Sequence, residues 1–203
     1  MNEQQYDKQL GIKTAGMLEI SGQSVHYNRY EATPYEALTM LGDKYALKQI
    51  DSVVDYGCGK GRVSFYLHNR FHCSVTGIEM NRQLYRSAID NYLHYRKKKR
   101  EKGGFIAFEH CFAENYEISS EDNLFYFFNP FSVEIFMNVV RKIVSSVEQH
   151  PRDADLILYF PTIDYVEYLE RQTVFTLYKE IKVDRLYEKN DNERFLIYRL
   201  IGK

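Results

Sequence analysis

Apolar residues recur along this chain in two periods. Ile50, Val53 and Val54 are β-branched and closely spaced, which predicts a short buried strand ending at about Tyr56. After Gly61 the period lengthens: Val63, Tyr66, Leu67 and Phe71 share one helical stripe, and Arg62, Ser64 and Asn69 fall off it. Over 30–49, Ala37, Leu38, Leu41 and Tyr45 form another stripe. There Thr33 reads as the N-cap, Pro34 as the first helical residue and Glu36 as the capping-box partner. Gly42, with Met40 and Leu47 off the stripe, weakens the second half of that helix.

Further strands are expected over 72–79, 105–110, 123–128 and 154–160. The run over 123–128 is nearly continuous in apolar and aromatic residues, as a strand covered on both faces should be. Helical stripes occupy 81–100 (Leu84, Ala88, Tyr92, Tyr95), 132–149 (Val133, Phe136, Val140, Ile143, Val144, Val147) and 163–171. Segments 174–183 and 195–201 read as a terminal hairpin around a polar connection. Alternating strands and helices predict an α/β chain, a mostly parallel sheet with helices on both faces. Residues 1–29 are polar to mixed, with glycines at 11, 16 and 22, and read as an arm or lid holding one short helix; 30–203 is the expected folded domain.

Composition adds bounds. With 203 residues and 44% hydrophobic content, a sizeable core is expected. The 27 Lys and Arg nearly balance the 28 Asp and Glu, so no global field recruits nucleic acid or a membrane surface. Cys58, Cys73 and Cys111 show neither zinc spacing nor an even disulfide set, and no histidine lies in a recognisable motif. The polar start and the absence of a long apolar run lead us to expect a cytoplasmic protein without a membrane partner. The 18 Tyr and 13 Phe suit a ring-lined pocket or ordinary core alike.

The candidate chemistry centres on Ser-Val-Val-Asp-Tyr-Gly-Cys-Gly-Lys-Gly-Arg, residues 52–62. A strand, a glycine turn and a helix N-terminus make a nucleotide-type crevice. The dinucleotide pattern Gly-x-Gly-x-x-Gly fails, because Arg62 stands at its sixth place, and a Walker loop fails because Gly61 follows Lys60. Asp55, a carboxylate just before the turn, would repel a pyrophosphate and attract an ammonium group. Glu79 lies 24 residues after Asp55 at the end of the next strand, where an acidic side chain offers two oxygens to ribose hydroxyls.

Asp55, Gly57, Gly59 and Gly61, with Cys58 inside the turn, fill the acidic-x-Gly-x-Gly-x-Gly motif of class I S-adenosylmethionine-dependent methyltransferases, and the stretch resembles it closely. The resemblance implies a Rossmann-like seven-stranded sheet with a reversed last strand, S-adenosylmethionine as methyl donor and S-adenosylhomocysteine as product. Tyr30 to Tyr35 resembles an element that closes over the cofactor in a group including protein-lysine methyltransferases, which makes both tyrosines cofactor-binding candidates; a plain helix cap explains them equally. Met80 would pack on adenine or fill space. The loop after the third strand usually carries an Asp for adenine; Phe112 stands there, leaving Glu114 or the backbone at Ala113 as substitutes.

Asn129-Pro130-Phe131 is similar to the Asn-Pro-Pro-Tyr/Phe motif of amino-directed methyltransferases, less one proline. It implies that Asn129 and a following carbonyl hold the acceptor nitrogen while Phe131 stacks on the target. Asn-Pro is also an ordinary strand-to-turn signal, with Ser132 capping the next helix. The implied acceptor is an amine on a protein side chain or a small molecule. A nucleic-acid base and a cofactor-binding partner subunit without its own activity stand as alternatives; the basic run 96–100 complements the helix dipole at the end of its helix, with a nucleic-acid contact as the other reading, and the acceptor and the oligomeric state stay open.

Overall fold

The computed structural model describes residues 2–16, 30–99 and 103–202. Gly22 and Arg100, named above for the arm and the basic run, lie outside the described residues. The strands are β1 (Ser52–Tyr56), β2 (Ser74–Ile78), β3 (Ile106–Glu109), β4 (Leu124–Phe127), β5 (Ala154–Tyr159), β6 (Thr176–Lys182) and β7 (Arg194–Leu200). The helices are α1 (Glu3–Leu10), α2 (Tyr35–Lys44), α3 (Arg62–Phe71), α4 (Arg82–Lys98), α5 (Val133–Gln149), α6 (Ile163–Gln172) and the single turn α7 (Asp184–Tyr187). The sheet order is β3-β2-β1-β4-β5-β7-β6. β1 to β5 pair in parallel, and β7 runs antiparallel between β5 and β6.

Alternation along each strand sends side chains to two cores. Val53, Leu124, Tyr126 and Ile157 join Leu38, Leu41, Phe65 and Leu67 on the face covered by α2, α3 and α4. Val54, Phe125, Phe127 and Leu156 join Phe136, Val139, Val140 and Ile143 on the opposite face, under α5 and α6. Phe136 stacks on Tyr165 at 3.8 Å between ring centres and so joins α5 to α6. The chain winds outward from β1 through β2 to β3, then returns to β4 beside β1. That reversal opens a crevice at the carboxyl ends of β1 and β4.

Several local expectations are corrected. Ile50 is not in β1: it sits in a turn and is 86% exposed. Thr33 does not cap α2, whose N-cap is Pro34; the Thr33 hydroxyl meets the Tyr126 hydroxyl at 2.8 Å instead. Leu47 is buried although it lies beyond the helix, and α2 runs through Gly42 to Lys44. Arg62 and Ser64 are buried, because the first two turns of α3 are enclosed all round by the sheet and α1. The polar connection before β7 contains α7. β6 is an edge strand with five exposed residues in succession and an irregularity between Leu177 and Lys179, features that blunt an open edge.

Residues 2–16 pack on the body. Asn2 and Gln5 form a reciprocal capping box on α1, and Gly11 ends the helix in the left-handed conformation. Buried Asp7 accepts hydrogen bonds from the Thr14 amide (2.5 Å) and hydroxyl (2.7 Å), the Ala15 amide (3.0 Å) and the Tyr35 hydroxyl (2.7 Å). Asn91 of α4 accepts from the Lys13 amide at 2.8 Å and donates to the Lys13 and Lys60 carbonyls. Four donors on one carboxylate compensate its burial and fix the strap against α3 and α4.

Candidate functional site

Val53 and Val54 anchor β1 in both cores, which delivers Asp55 to the crevice floor. Asp55 shares the face of Val53, toward α3, and its Oδ2 accepts from the Ser64 hydroxyl at 2.7 Å. Burial is the main cause that lifts its pKa from 3.8 to about 7, with nearby Glu79 raising it further and Ser64 pulling it down.

The glycine turn follows. The amides of Gly57 and Cys58 both reach the Ile78 carbonyl, at 2.9 and 3.0 Å, so the turn folds over the end of β2. Gly57 has φ +72°, and a Cβ there would lie 2.4 Å from Pro130 Cβ. Gly59 has φ +57°, and a Cβ there would lie 2.1 Å from the ring of Tyr30. Both positions therefore need glycine for conformation and for close approach. Tyr30 covers the turn: its hydroxyl donates to the Thr14 carbonyl (3.0 Å), and Lys60 Nζ lies 5.2 Å from its ring centre.

Glu79 stands at the end of β2, beside Asp55. Its Oε2 accepts from the Gly59 amide (2.9 Å) and its Oε1 from the Asn81 amide (2.7 Å). Burial raises its pKa from 4.5 to about 7, against the pull of those amides. A carboxylate has about four lone-pair sites, so beyond these amides and that of Met80 it keeps capacity for a ligand donor.

The ends of β4 and β5 complete the crevice. Asn129 (φ +40°) and Phe160 (φ +50°) both take the left-handed conformation, uncommon for residues with side chains. Asn129 Nδ2 donates to the Phe160 carbonyl at 2.5 Å, which joins the two loops and fixes the plane of the amide. Phe131 is only 2% exposed; its ring meets Tyr56 and Phe127 edge-on, at 6.4 and 6.2 Å.

These elements enclose a cavity of about 240 Å³. Of the residues singled out in the sequence, Tyr30, Asp55, Gly57, Cys58, Glu79, Met80, Ala113, Asn129, Pro130 and Phe131 are on its wall. Tyr35, Gly59, Gly61 and Glu114 are not. Tyr35 is a core residue, stacked on Tyr6 at 4.6 Å; Gly59 lies beneath Tyr30; Gly61 packs toward Phe65 and Phe108. The Glu114 carbonyl accepts from Lys142 Nζ at 2.7 Å, on the α5 side. Phe112 is half exposed and off the wall, while its neighbour Ala113 is buried on it.

The wall also holds Glu31 and Thr33, from within the Tyr30 to Tyr35 element, and Arg62, Tyr126, Phe128 and Phe160, none of which the sequence patterns marked individually as a site residue. Phe128 and Phe160 are half-buried, with ring centres 6.3 Å apart. Adjacency to Asn129 was the available signal for Phe128. Arg62 had one too, since it follows the third glycine of the turn. Among the described residues, no group of three or more His, Cys, Asp or Glu is placed to hold a metal ion, and no helix is long and apolar enough to cross a membrane.

No protein-family model matches the sequence, and no curated protein matches it. Solved structures do. An RNA methyltransferase from Salinibacter ruber, in complex with S-adenosyl-L-homocysteine, shares 14% identity at a TM-score of 0.54, covering 84% of this chain and 92% of its own. The [4+2]-cyclase SpnF shares 14% at 0.60, covering 89% and 88%. YjhP from E. coli shares 12% at 0.57, covering 85% and 94%. Identity this low speaks to architecture alone, and one neighbour is described as a cyclase. With its strand order and reversed seventh strand, the chain has the Rossmann-like fold of class I methyltransferases.

Proposed function

We propose that the protein is an S-adenosylmethionine-dependent methyltransferase acting on an amine-type acceptor. The observation that carries this reading is Asp55, a buried carboxylate on the cavity wall, one strand from a second buried carboxylate, Glu79, and directly before the glycine turn. A buried carboxylate with a pKa near neutrality is costly to ionise without a partner, and a ligand ammonium supplies one. Glu79 fits two ribose hydroxyls, with its orientation fixed by the amides of Gly59 and Asn81. Met80 and Ala113 offer apolar surface for a base beside them.

When bound, the cofactor supplies a methyl group already activated on a sulfonium. The chain's task is then orientation. Asn129, held by the Phe160 carbonyl, stands at the carboxyl end of β4 to position an acceptor nitrogen. Half-buried Phe128 and Phe160 line its approach. Among the described residues the wall carries Glu31, Asp55 and Glu79 against one cation, Arg62, a balance that suits an amine more than a phosphate-rich ligand.

The test is calorimetric titration with S-adenosylmethionine, S-adenosylhomocysteine, NAD and ATP, followed by a methylation screen over protein extracts, small amines and RNA. Selective binding of the first two is expected, with transfer to an amine. Transfer to RNA would replace the amine by a nucleic-acid base, and binding without any transfer would leave a partner subunit. Asn129→Ala is expected to keep cofactor affinity within about twofold and lower turnover by roughly 10²-fold, the size of a lost positioning contact. Undiminished turnover on a confirmed substrate would reduce Asn129 to a turn residue.

A further inference from the structure

We infer that Arg62 is the carboxylate-binding residue of the cavity, taking the acid end of the amino-acid portion of the ligand whose ammonium end lies on Asp55. This rests on the cofactor reading above and adds a specificity for zwitterionic ligands. Arg62 is 4% exposed, and it is the one Lys or Arg among the described residues on the cavity wall.

Its side chain is held on every side but one. Nε donates to the Thr14 hydroxyl at 2.7 Å. Nη1 donates to the Thr33 carbonyl at 3.1 Å and pairs with Glu3, whose side chain is 44% exposed. The guanidinium plane lies over the Tyr35 ring, 4.6 Å from its centre. Among the described residues Nη2 has no protein acceptor. A guanidinium presents its donors as a planar fork matched to a carboxylate, and this one sits at the first residue of the ten-residue helix α3, where the helix N-terminus also favours an anion. Asp55 and Arg62 are thus two opposite charges on one wall, separated by the glycine turn. An α-amino acid end offers the complementary pair.

The experiment compares S-adenosylhomocysteine with its decarboxylated analogue, S-adenosyl-3-thiopropylamine, which keeps the ammonium and lacks the acid. By calorimetry the wild-type protein is expected to prefer the acid-bearing ligand by roughly 10- to 150-fold, the range of a charge-assisted contact. Arg62→Met, checked by thermal melting, should bind the analogue like wild type and lose most of the preference. Arg62→Lys, which keeps the charge and lacks the fork, should lose part of it and serves if the methionine variant does not fold. Equal wild-type affinity for both ligands overturns the inference, as does a full preference in either variant or an equal loss of both ligands in Arg62→Met. Absence of any S-adenosylhomocysteine binding by the wild type instead overturns the cofactor reading itself.

Discussion

Asp55→Asn is expected to make the ligand-free protein more stable at pH 8 and its cofactor binding much weaker. Both effects follow from the same burial. The Asp55 pKa is raised in the folded protein, from 3.8 to about 7, so its stabilising contribution is complete below about pH 4 and is lost as pH rises through 7. A shift of that size corresponds to about 4 kcal/mol. Asparagine does not ionise and still accepts from Ser64, but its buried amide needs partners of its own. A gain of roughly 2 kcal/mol, or about 4–8 °C in melting temperature at pH 8, is therefore expected.

Binding moves the other way. Loss of a charge-assisted contact to the ligand ammonium costs roughly 1.5–3 kcal/mol, or about 10- to 150-fold in affinity. Wild-type affinity should also strengthen between pH 6 and 8 as the carboxylate ionises to meet the ammonium, and this slope should shrink in the variant. Some slope will persist, because Glu79 is raised to about 7 as well and the two carboxyls titrate as a coupled pair. Melting curves and titrations at pH 6 and 8 check both halves. A variant that binds like wild type would remove Asp55 from the ligand's ammonium end.

What the sequence disclosed depends on whether the signal was local. β1, the glycine turn and α3 were legible together, because β-branching, glycine spacing and a helical stripe each act over a few residues. Strand-like runs interleaved with helices pointed to an α/β chain with a mostly parallel sheet, and the resemblance added seven strands with the last reversed; the structure has seven strands, with β7 antiparallel to its neighbours. Ile50 misled because β propensity describes a pleated, half-buried surface, and at this position the chain is still turning.

Side-chain destinations were less legible. Thr33 had the chemistry of a cap, yet Tyr126 from β4, distant in sequence, took its hydroxyl. Arg62 fell on the polar side of the α3 stripe, and a periodic reading assigns such a residue to solvent. It is buried because α1 and residues 12–16 return over that face, bringing Glu3 and Thr14 to meet it. Tyr35 went the opposite way: a candidate for covering the ligand, it spends its hydroxyl on Asp7 and its ring on Tyr6 and Arg62. In each case a tertiary partner decided, and no short-range pattern encodes such a partner.

Gly59→Ala is expected to lower stability by roughly 2–4 kcal/mol and to abolish measurable cofactor binding. The backbone at Gly59 is left-handed, φ +57°, which costs an L-residue about 1–2 kcal/mol. The added Cβ would also lie 2.1 and 2.4 Å from Cε2 and Cδ2 of Tyr30, closer than any packed pair tolerates. The ring would have to leave, and with it go the hydroxyl bond to the Thr14 carbonyl and the contact with Lys60. Thr14 also holds Asp7 and Arg62, so the disturbance reaches the strap and the cavity wall together. A double-mutant cycle with Tyr30→Ala separates the two costs. Removing the ring should leave the backbone penalty and relieve the clash, so the double variant is expected to be roughly 1–2 kcal/mol more stable than the sum of the single changes predicts. Additive effects would mean that Tyr30 does not bear on the glycine turn in solution.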